Sequence, residues 1–128
     1  VLPKQARSKV NFEIHRSEVF INYTTTCNAL SVLKEEGFNV GIDGITASVL
    51  PYIKFNLMNV DYYKINVTRE KWQGMTSPGV IEALKEIPAD KIIFSHCDHE
   101  EALLFGQKLG VRRYQGWLID DVANAIIT

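Results

Sequence analysis

The sequence predicts an α/β fold built on parallel strands with covering helices, and three observations lead there. Short apolar segments of strand length alternate with segments of helical periodicity along nearly the whole chain. The connections between them are short, as in repeated βα units. Finally, Ile92-Ile93-Phe94 is a continuous β-branched and aromatic run, the pattern of a buried parallel strand.

Taken in order, Lys9 to His15 alternates apolar and polar residues and predicts the first strand. Ser17 to Glu36 places Val19, Tyr23, Cys27, Leu30 and Leu33 at helical spacing and predicts one helix, stopped by Gly37. Phe38 to Asp43 reads as the second strand. After Gly44 a shorter helix is expected from Thr46 to about Leu57, started or kinked at Pro51. Tyr62 to Val67 reads as the third strand, followed by a polar loop through Arg69, Trp72, Gly74 and Met75. Ser77 is the expected N-cap and Pro78 the first residue of a helix that runs to about Ile87 and stops at Pro88. Lys91 to Ser95 is the fourth strand. Asp98 is placed to cap a helix from His99 to Leu109, closed by Gly110. A last short strand falls within Val111 to Leu118, and a terminal helix over Asp120 to Ile127.

Residues 1–128 therefore read as one domain, without internal repeats or low-complexity segments. Periodicity alone leaves two architectures open, an open doubly wound sheet and part of a closed barrel. The net charge of -1 gives no argument for a DNA, RNA or membrane surface. No apolar run approaches the roughly 20 residues that span a bilayer. The basic start of the chain (Lys4, Arg7, Lys9) lacks the apolar centre of a signal peptide. Two cysteines, Cys27 and Cys97, do not make a disulfide framework, and a cytoplasmic location is the expectation.

In either architecture, chemistry gathers at the C-terminal ends of the strands. That rule selects Glu13 and His15, Asp43, Lys64 and Asn66, Ser95 to Asp98, and Gln115. Carboxylates suit a hard divalent cation, and a lysine supplies a point charge for phosphate. The bland alternative is equally concrete: Glu13 and Asp43 are solvated strand ends, Lys64 pairs with one of them, and Gln115 braces the backbone. The cluster His96-Cys97-Asp98-His99 invites a zinc reading, but it lacks spaced ligand pairs, and consecutive residues of an extended strand point to opposite faces. Trp72 and Trp117 read as packing aromatics before base-stacking platforms. Of Tyr62 and Tyr63, which straddle a strand, at least one is a packing residue.

Several segments taken together resemble the bacterial EAL-domain family of cyclic-di-GMP phosphodiesterases. Phe12-Glu13-Ile14-His15-Arg16 resembles L-E-L-T-E, and Ile42-Asp43-Gly44-Ile45-Thr46-Ala47-Ser48 is similar to L-D-D-F-G-T-G. Val60-Asp61-Tyr62-Tyr63-Lys64-Ile65-Asn66 resembles V-D-x-L-K-I-D. Ile93-Phe94-Ser95-His96-Cys97-Asp98 falls where V-A-E-G-V-E is expected, and Tyr114-Gln115-Gly116-Trp117 resembles the closing x-Q-G-Y. The resemblance implies a partial TIM-type (β/α) barrel, roughly its C-terminal half, since a complete barrel takes about 250 residues. The strand bearing the E-A-L signature would precede Val1.

The same resemblance implies magnesium or manganese activating a water that attacks a phosphodiester of cyclic-di-GMP. It assigns Glu13 and Asp43 to metal-ligand positions, Lys64 to the active-site lysine, and Gln115 to the closing glutamine. Asp98 takes the last acidic position of E-G-V-E. The departures weigh against catalysis. Gly44 stands for the second aspartate, Asn66 for the aspartate of K-I-D, Ser95 for the first glutamate of E-G-V-E, and Arg16 for the second glutamate of L-E-L-T-E. A neutral hydroxyl cannot act as carboxylate ligand or base near neutral pH. The expectation is therefore a degenerate, catalytically inactive signalling domain with Glu13 and Asp43 as vestigial metal positions and no cofactor, unless the site retains Mg or Mn. It would act by protein interaction, as a homo-oligomer or with another protein, and/or by cyclic-di-GMP binding. An incomplete barrel is further expected to expose apolar strand faces and two sheet edges. The alternative is the C-terminal half of an active phosphodiesterase completed by a missing segment. A third possibility, an unrelated doubly wound nucleotide enzyme, lacks a glycine-rich loop after the first strand.

Overall fold

A computed structural model describes residues 3–7, 9–55, 58–116 and 118–119. Five strands form a single sheet in the order β1-β2-β3-β4-β5, every neighbouring pair parallel. They are β1 (Asn11–His15), β2 (Asn39–Ile45), β3 (Tyr62–Asn66), β4 (Ile92–Ser95) and β5 (Arg113–Tyr114). The helices are α1 (Lys4–Arg7), α2 (Arg16–Ile21), α3 (Tyr23–Glu35), α4 (Pro78–Lys85) and α5 (Glu100–Leu109). Short 3₁₀ turns occupy Leu50–Tyr52, Arg69–Lys71 and Ala89–Lys91.

Strand order equals chain order, which has a physical consequence. Right-handed crossovers that always step in one direction lay every helix on the same face of the sheet. The core shows that arrangement. Val19 of α2, Leu30 of α3, Val80 and Leu84 of α4 and Ala102 of α5 share one apolar cluster with Val40, Ile42, Tyr63, Ile65, Ile92 and Phe94 of the strands. A doubly wound sheet would reverse direction and bury both faces. Here the alternate strand positions form a second face without a helical cover among the described residues. By the two-residue period, that face carries Glu13, Gly41, Asp43, Tyr62, Lys64, Ile93 and Arg113. The expected apolar strand face is thus corrected: the uncovered side is largely polar, and its two apolar members, Tyr62 (2% exposed) and Ile93 (7%), are buried.

Several expected elements change. The single helix over 17–36 is two, because Asn22 leaves helical geometry (φ -148°, ψ 73°). Asn22 and three successive threonines are poor helix formers, and the Thr26 hydroxyl donates to the Glu18 carbonyl, diverting the chain locally. The helix expected over 46–57 is absent from its described residues. A turn leads instead into Leu50–Tyr52, where Pro51 cannot donate to a helical ladder. Leu50, Ile53, Phe55, Met58 and Val60 are nonetheless buried, so this segment covers core without regular structure. Ser77 does precede Pro78 at the start of α4, but its hydroxyl donates to the Gly74 carbonyl rather than capping the helix. Asp98 is not the cap of α5: His99 holds that position and the helix starts at Glu100. Gly110 closes α5 in the left-handed region (φ 85°), and β4 is buried along its full length. The terminal helix expected over 120–127 and the residue Trp117 lie outside the described residues. Trp72 packs edge-on against His99 and Phe105, with its indole N–H donating to Glu101. It is a packing aromatic.

One turn of α1 is anchored by Arg7, whose guanidinium donates to the Glu36 carboxylate and carbonyl at 2.8 and 2.9 Å and lies over the Phe38 ring. Among the described residues no helix is long and apolar enough to cross a membrane.

Gly41 shows how tightly the uncovered face is built. A Cβ there would run into the Tyr62 ring, which lies across the β2 backbone. Gly41→Ala should destabilise the fold by about 1–3 kcal/mol in urea unfolding, the usual cost of overpacking. Combined with Tyr62→Ala the cost should fall well below the sum of the single changes. Strict additivity would show that the ring does not enforce the glycine.

Candidate functional site

The uncovered face holds a concavity of about 450 Å³, lined by Glu13, Tyr62, Lys64, Ile93, Arg113 and Gln115 among others. Its centre is a three-membered network. The Lys64 ammonium meets Glu13 Oε1 at 2.5 Å, and the Tyr62 hydroxyl donates to the same oxygen at 2.9 Å. Lys64 Nζ also lies 5.9 Å from the centre of the Tyr62 ring, within cation–π range. Registry assembles these groups. Glu13 sits opposite Gly41 on β2, and Gly41 opposite Tyr62 on β3. The missing side chain of Gly41 leaves the space across which the tyrosine reaches the glutamate.

Electrostatics follow from this contact. Burial raises the Glu13 pKa, but hydrogen bonds from Lys64 and Tyr62, with the lysine's charge, outweigh it and hold the carboxyl below its ordinary 4.5. Tyr62 moves the other way: burial, its bond to the Glu13 carboxylate and the nearby charges of Glu13, Asp43 and Asp61 push its hydroxyl well above 10. Across the sheet, burial and the influence of Tyr23 and Cys27 raise Tyr63 to about 12. Both tyrosines are neutral donors near neutral pH.

The other expected site residues are distributed differently. Gln115 reaches the rim of this concavity, while its backbone N–H donates to Phe94 and its carbonyl accepts from Cys97, both at 2.8 Å. Asp43 shares the face of Glu13 but turns its carboxylate to the next backbone N–H, that of Gly44, at 2.8 Å. Asp98 is not brought to the concavity. It accepts from the Arg69 backbone N–H at 3.0 Å and faces His99 Nδ1 at 2.8 Å. Burial raises its pKa, and these bonds together lower it further than burial raises it.

Ser95, Asn66 and Gly44 have structural work. Ser95, 4% exposed, donates to the Ile65 carbonyl and ties β4 to β3. The Asn66 side chain accepts from the Thr68 N–H and shapes the turn after β3. Gly44 lies at a register shift between β2 and β3, with φ 76°. A Cβ there would also run into His15 Nε2, so both conformation and space select glycine. The segment His96 to His99 is a turn rather than a strand, with His96 at φ 56° and Cys97 fully buried.

A divalent cation does not fit the donor set. Glu13 Oε1 is engaged by the Lys64 ammonium and the Tyr62 hydroxyl, and Asp43 Oδ1 by the Gly44 N–H, so a cation taking the second oxygen of Glu13 would sit close to the Lys64 ammonium, which repels it. Among the described residues no three His, Cys, Asp or Glu side chains converge as a metal site. Tyr62 is the member that sequence reading undervalued. The signal was available, since position 62 must share a face with Lys64 two residues on.

The chain belongs to the α/β class with a five-stranded, all-parallel sheet. No protein-family model matches it, and no curated protein matches it significantly.

The network should register in acid. A carboxyl whose folded pKa is depressed stabilises the fold above its unfolded value, and that stability is lost as pH falls through the folded value. Glu13→Gln should therefore lower stability at pH 7 by on the order of 1 kcal/mol, given a pair this accessible. The deficit should be smaller at about pH 3, because the carboxyl takes up its proton as pH falls from 4.5 through the depressed folded value. Unfolding curves at both pH values check this, and an equal deficit at each would place the loss in packing rather than charge.

Proposed function

We propose that the chain is a degenerate, catalytically inactive EAL-like signalling domain that acts by binding, through protein interaction and/or cyclic-di-GMP, rather than by turnover. The observation that carries this reading is the Glu13–Lys64–Tyr62 network. In an EAL-type site, Glu13 would hold a metal and Lys64 would face the phosphate. Here each neutralises the other. A cation would have to displace a bonded ammonium and then find partners that Gly44, Asn66 and Ser95 no longer supply.

The sheet supports the architectural part of the proposal. Sequential parallel strands with α2 to α5 packed on one face and a polar opposite face are what a segment of a (β/α) barrel would present, with Glu13, Lys64 and Gln115 then on its inside. Support for a protein partner lies at the β1 side. Among the described residues β1 is an edge strand, Phe12 on it is 39% exposed, and Phe20 and Ile21 on the adjoining α2 are 46% and 77% exposed.

Two measurements test the reading. Incubated with cyclic-di-GMP and either magnesium or manganese, the chain should release no linear dinucleotide, and turnover would overturn the proposal. In calorimetric titration, any cyclic-di-GMP binding should be unchanged by chelating divalent ions. If the nucleotide stays silent, sedimentation should show self-association or capture of a defined partner through the β1 side. A strictly monomeric chain that binds neither nucleotide nor protein would leave the proposal without support.

A further inference from the structure

A second concavity, of about 400 Å³, opens at the C-terminal ends of β1, β2 and β3. Parallel α/β sheets receive ligands at this end. His15, Arg16, Thr46, Ser48, Glu70 and Lys71 contribute to its wall, together with Gly44. Their hydrogen-bonding capacity is one-sided. Arg16 lines the concavity, but its Nε, which finds no acceptor among the described residues, is closed to solvent, so a ligand would meet other atoms of its guanidinium. A guanidinium keeps its protons at every accessible pH. His15 Nδ1 accepts from the Ser17 backbone N–H at 3.2 Å, so the neutral ring carries its proton on Nε2, the nitrogen beside Gly44. Thr46 and Ser48 hydroxyls lie 3.0 Å apart. One proton serves that bond, which leaves the second hydroxyl free to donate outward. Among acceptors, the Asn66 oxygen is already bonded to the Thr68 N–H, while the Gln73 amide both donates and accepts. Arg16 and Lys71 outnumber Glu70, the carboxylate of the wall.

A wall with spare donors, positive charge and few free acceptors suits an oxyanion. We infer that this concavity is a metal-independent site for a phosphate group, gripped by Arg16 and Lys71 and completed by His15 and a hydroxyl of Thr46 or Ser48. Arg16 supplies the planar fork that matches phosphate oxygens, and Lys71 a mobile point charge. The chemistry of the wall alone defines this site, which stands even if the binding function proposed above fails.

The test titrates the isotope-labelled 128-residue chain with inorganic pyrophosphate in excess chelator at low salt, following backbone amides by NMR. Gly44, Ser48 and Lys71 should shift together. Arg16→Gln should weaken binding by on the order of tenfold, Arg16→Lys should recover part of that loss, and Glu70→Gln should tighten binding. Lys85→Gln, at the exposed end of α4, should match the parent chain. The amide spectrum reports folding in every variant, and the exposed Glu70→Gln change keeps the test decisive if Arg16 variants unfold. Absence of shifts, a requirement for magnesium, or affinity unmoved by both Arg16→Gln and Glu70→Gln would overturn the site. A parallel titration with cyclic-di-GMP separates the two readings. Pyrophosphate binding without nucleotide binding leaves this site standing and removes the nucleotide part of the proposed function. Nucleotide binding with pyrophosphate silent does the reverse.

Discussion

Every strand of this sheet steps to the same side of its predecessor, and that single constraint organises the molecule. Helices can then cover one face only. The covered face collects Val40, Ile42, Tyr63, Ile65, Ile92 and Phe94 into the apolar core. The opposite face carries polar groups with no helix over them among the described residues, and three of these pair with one another. Glu13, Tyr62 and Lys64 do so by bonding to one another across three strands. Gly41 is required for that closure, since a side chain at position 41 would hold the tyrosine away from the glutamate.

This arrangement explains why glycine, asparagine and serine at the strand ends are compatible with a well-made fold. Each serves the backbone. Gly44 accommodates the register shift beneath His15, Asn66 fixes the turn after β3, and Ser95 ties two strands. A carboxylate at Ser95 would be buried beside a carbonyl it could only repel, an expensive replacement for a donated hydrogen bond. The strand ends of this chain are thus committed to holding themselves together. If the domain is a degenerate EAL-like one, as proposed, that commitment and the loss of metal chemistry are one change seen from two sides.

The strands were legible in the sequence because a buried parallel strand carries its own signature. Ile92-Ile93-Phe94 needs no context, and the alternation around Glu13 and Lys64 places both on one face before any coordinates are known. The helices were less legible where apolar spacing and local chemistry disagree. Val19, Tyr23 and Cys27 keep helical spacing through Asn22, yet the backbone breaks there because spacing reports burial and not hydrogen bonding. The segment after Gly44 failed for the converse reason: its apolar residues are buried, but Pro51 denies them a helix. At the site, a pairing of Lys64 with Glu13 follows from their shared face, whereas the divergence of Asp98 from them was not visible. Asp98 lies beyond a turn through His96, whose left-handed backbone has no marker in its residue type.

The two concavities differ in what they leave over, and that difference bears on binding. At Glu13 itself the charge is neutralised by Lys64, although Arg112 and Arg113 line the same concavity, and a ligand that takes Glu13 Oε1 must break an ion pair and strip a tyrosine hydroxyl of its acceptor. Around Arg16 the wall carries Arg16 and Lys71 against Glu70, and Arg16 Nε has no acceptor among the described residues. A phosphate bound at the second place, as inferred, would meet groups that the folded chain has already positioned, which is the favourable half of preorganisation. The same sheet therefore pairs Glu13 with Lys64 on its uncovered face and places Arg16 and Lys71 at the second concavity, a division set by registry and by where the sequence puts its charges.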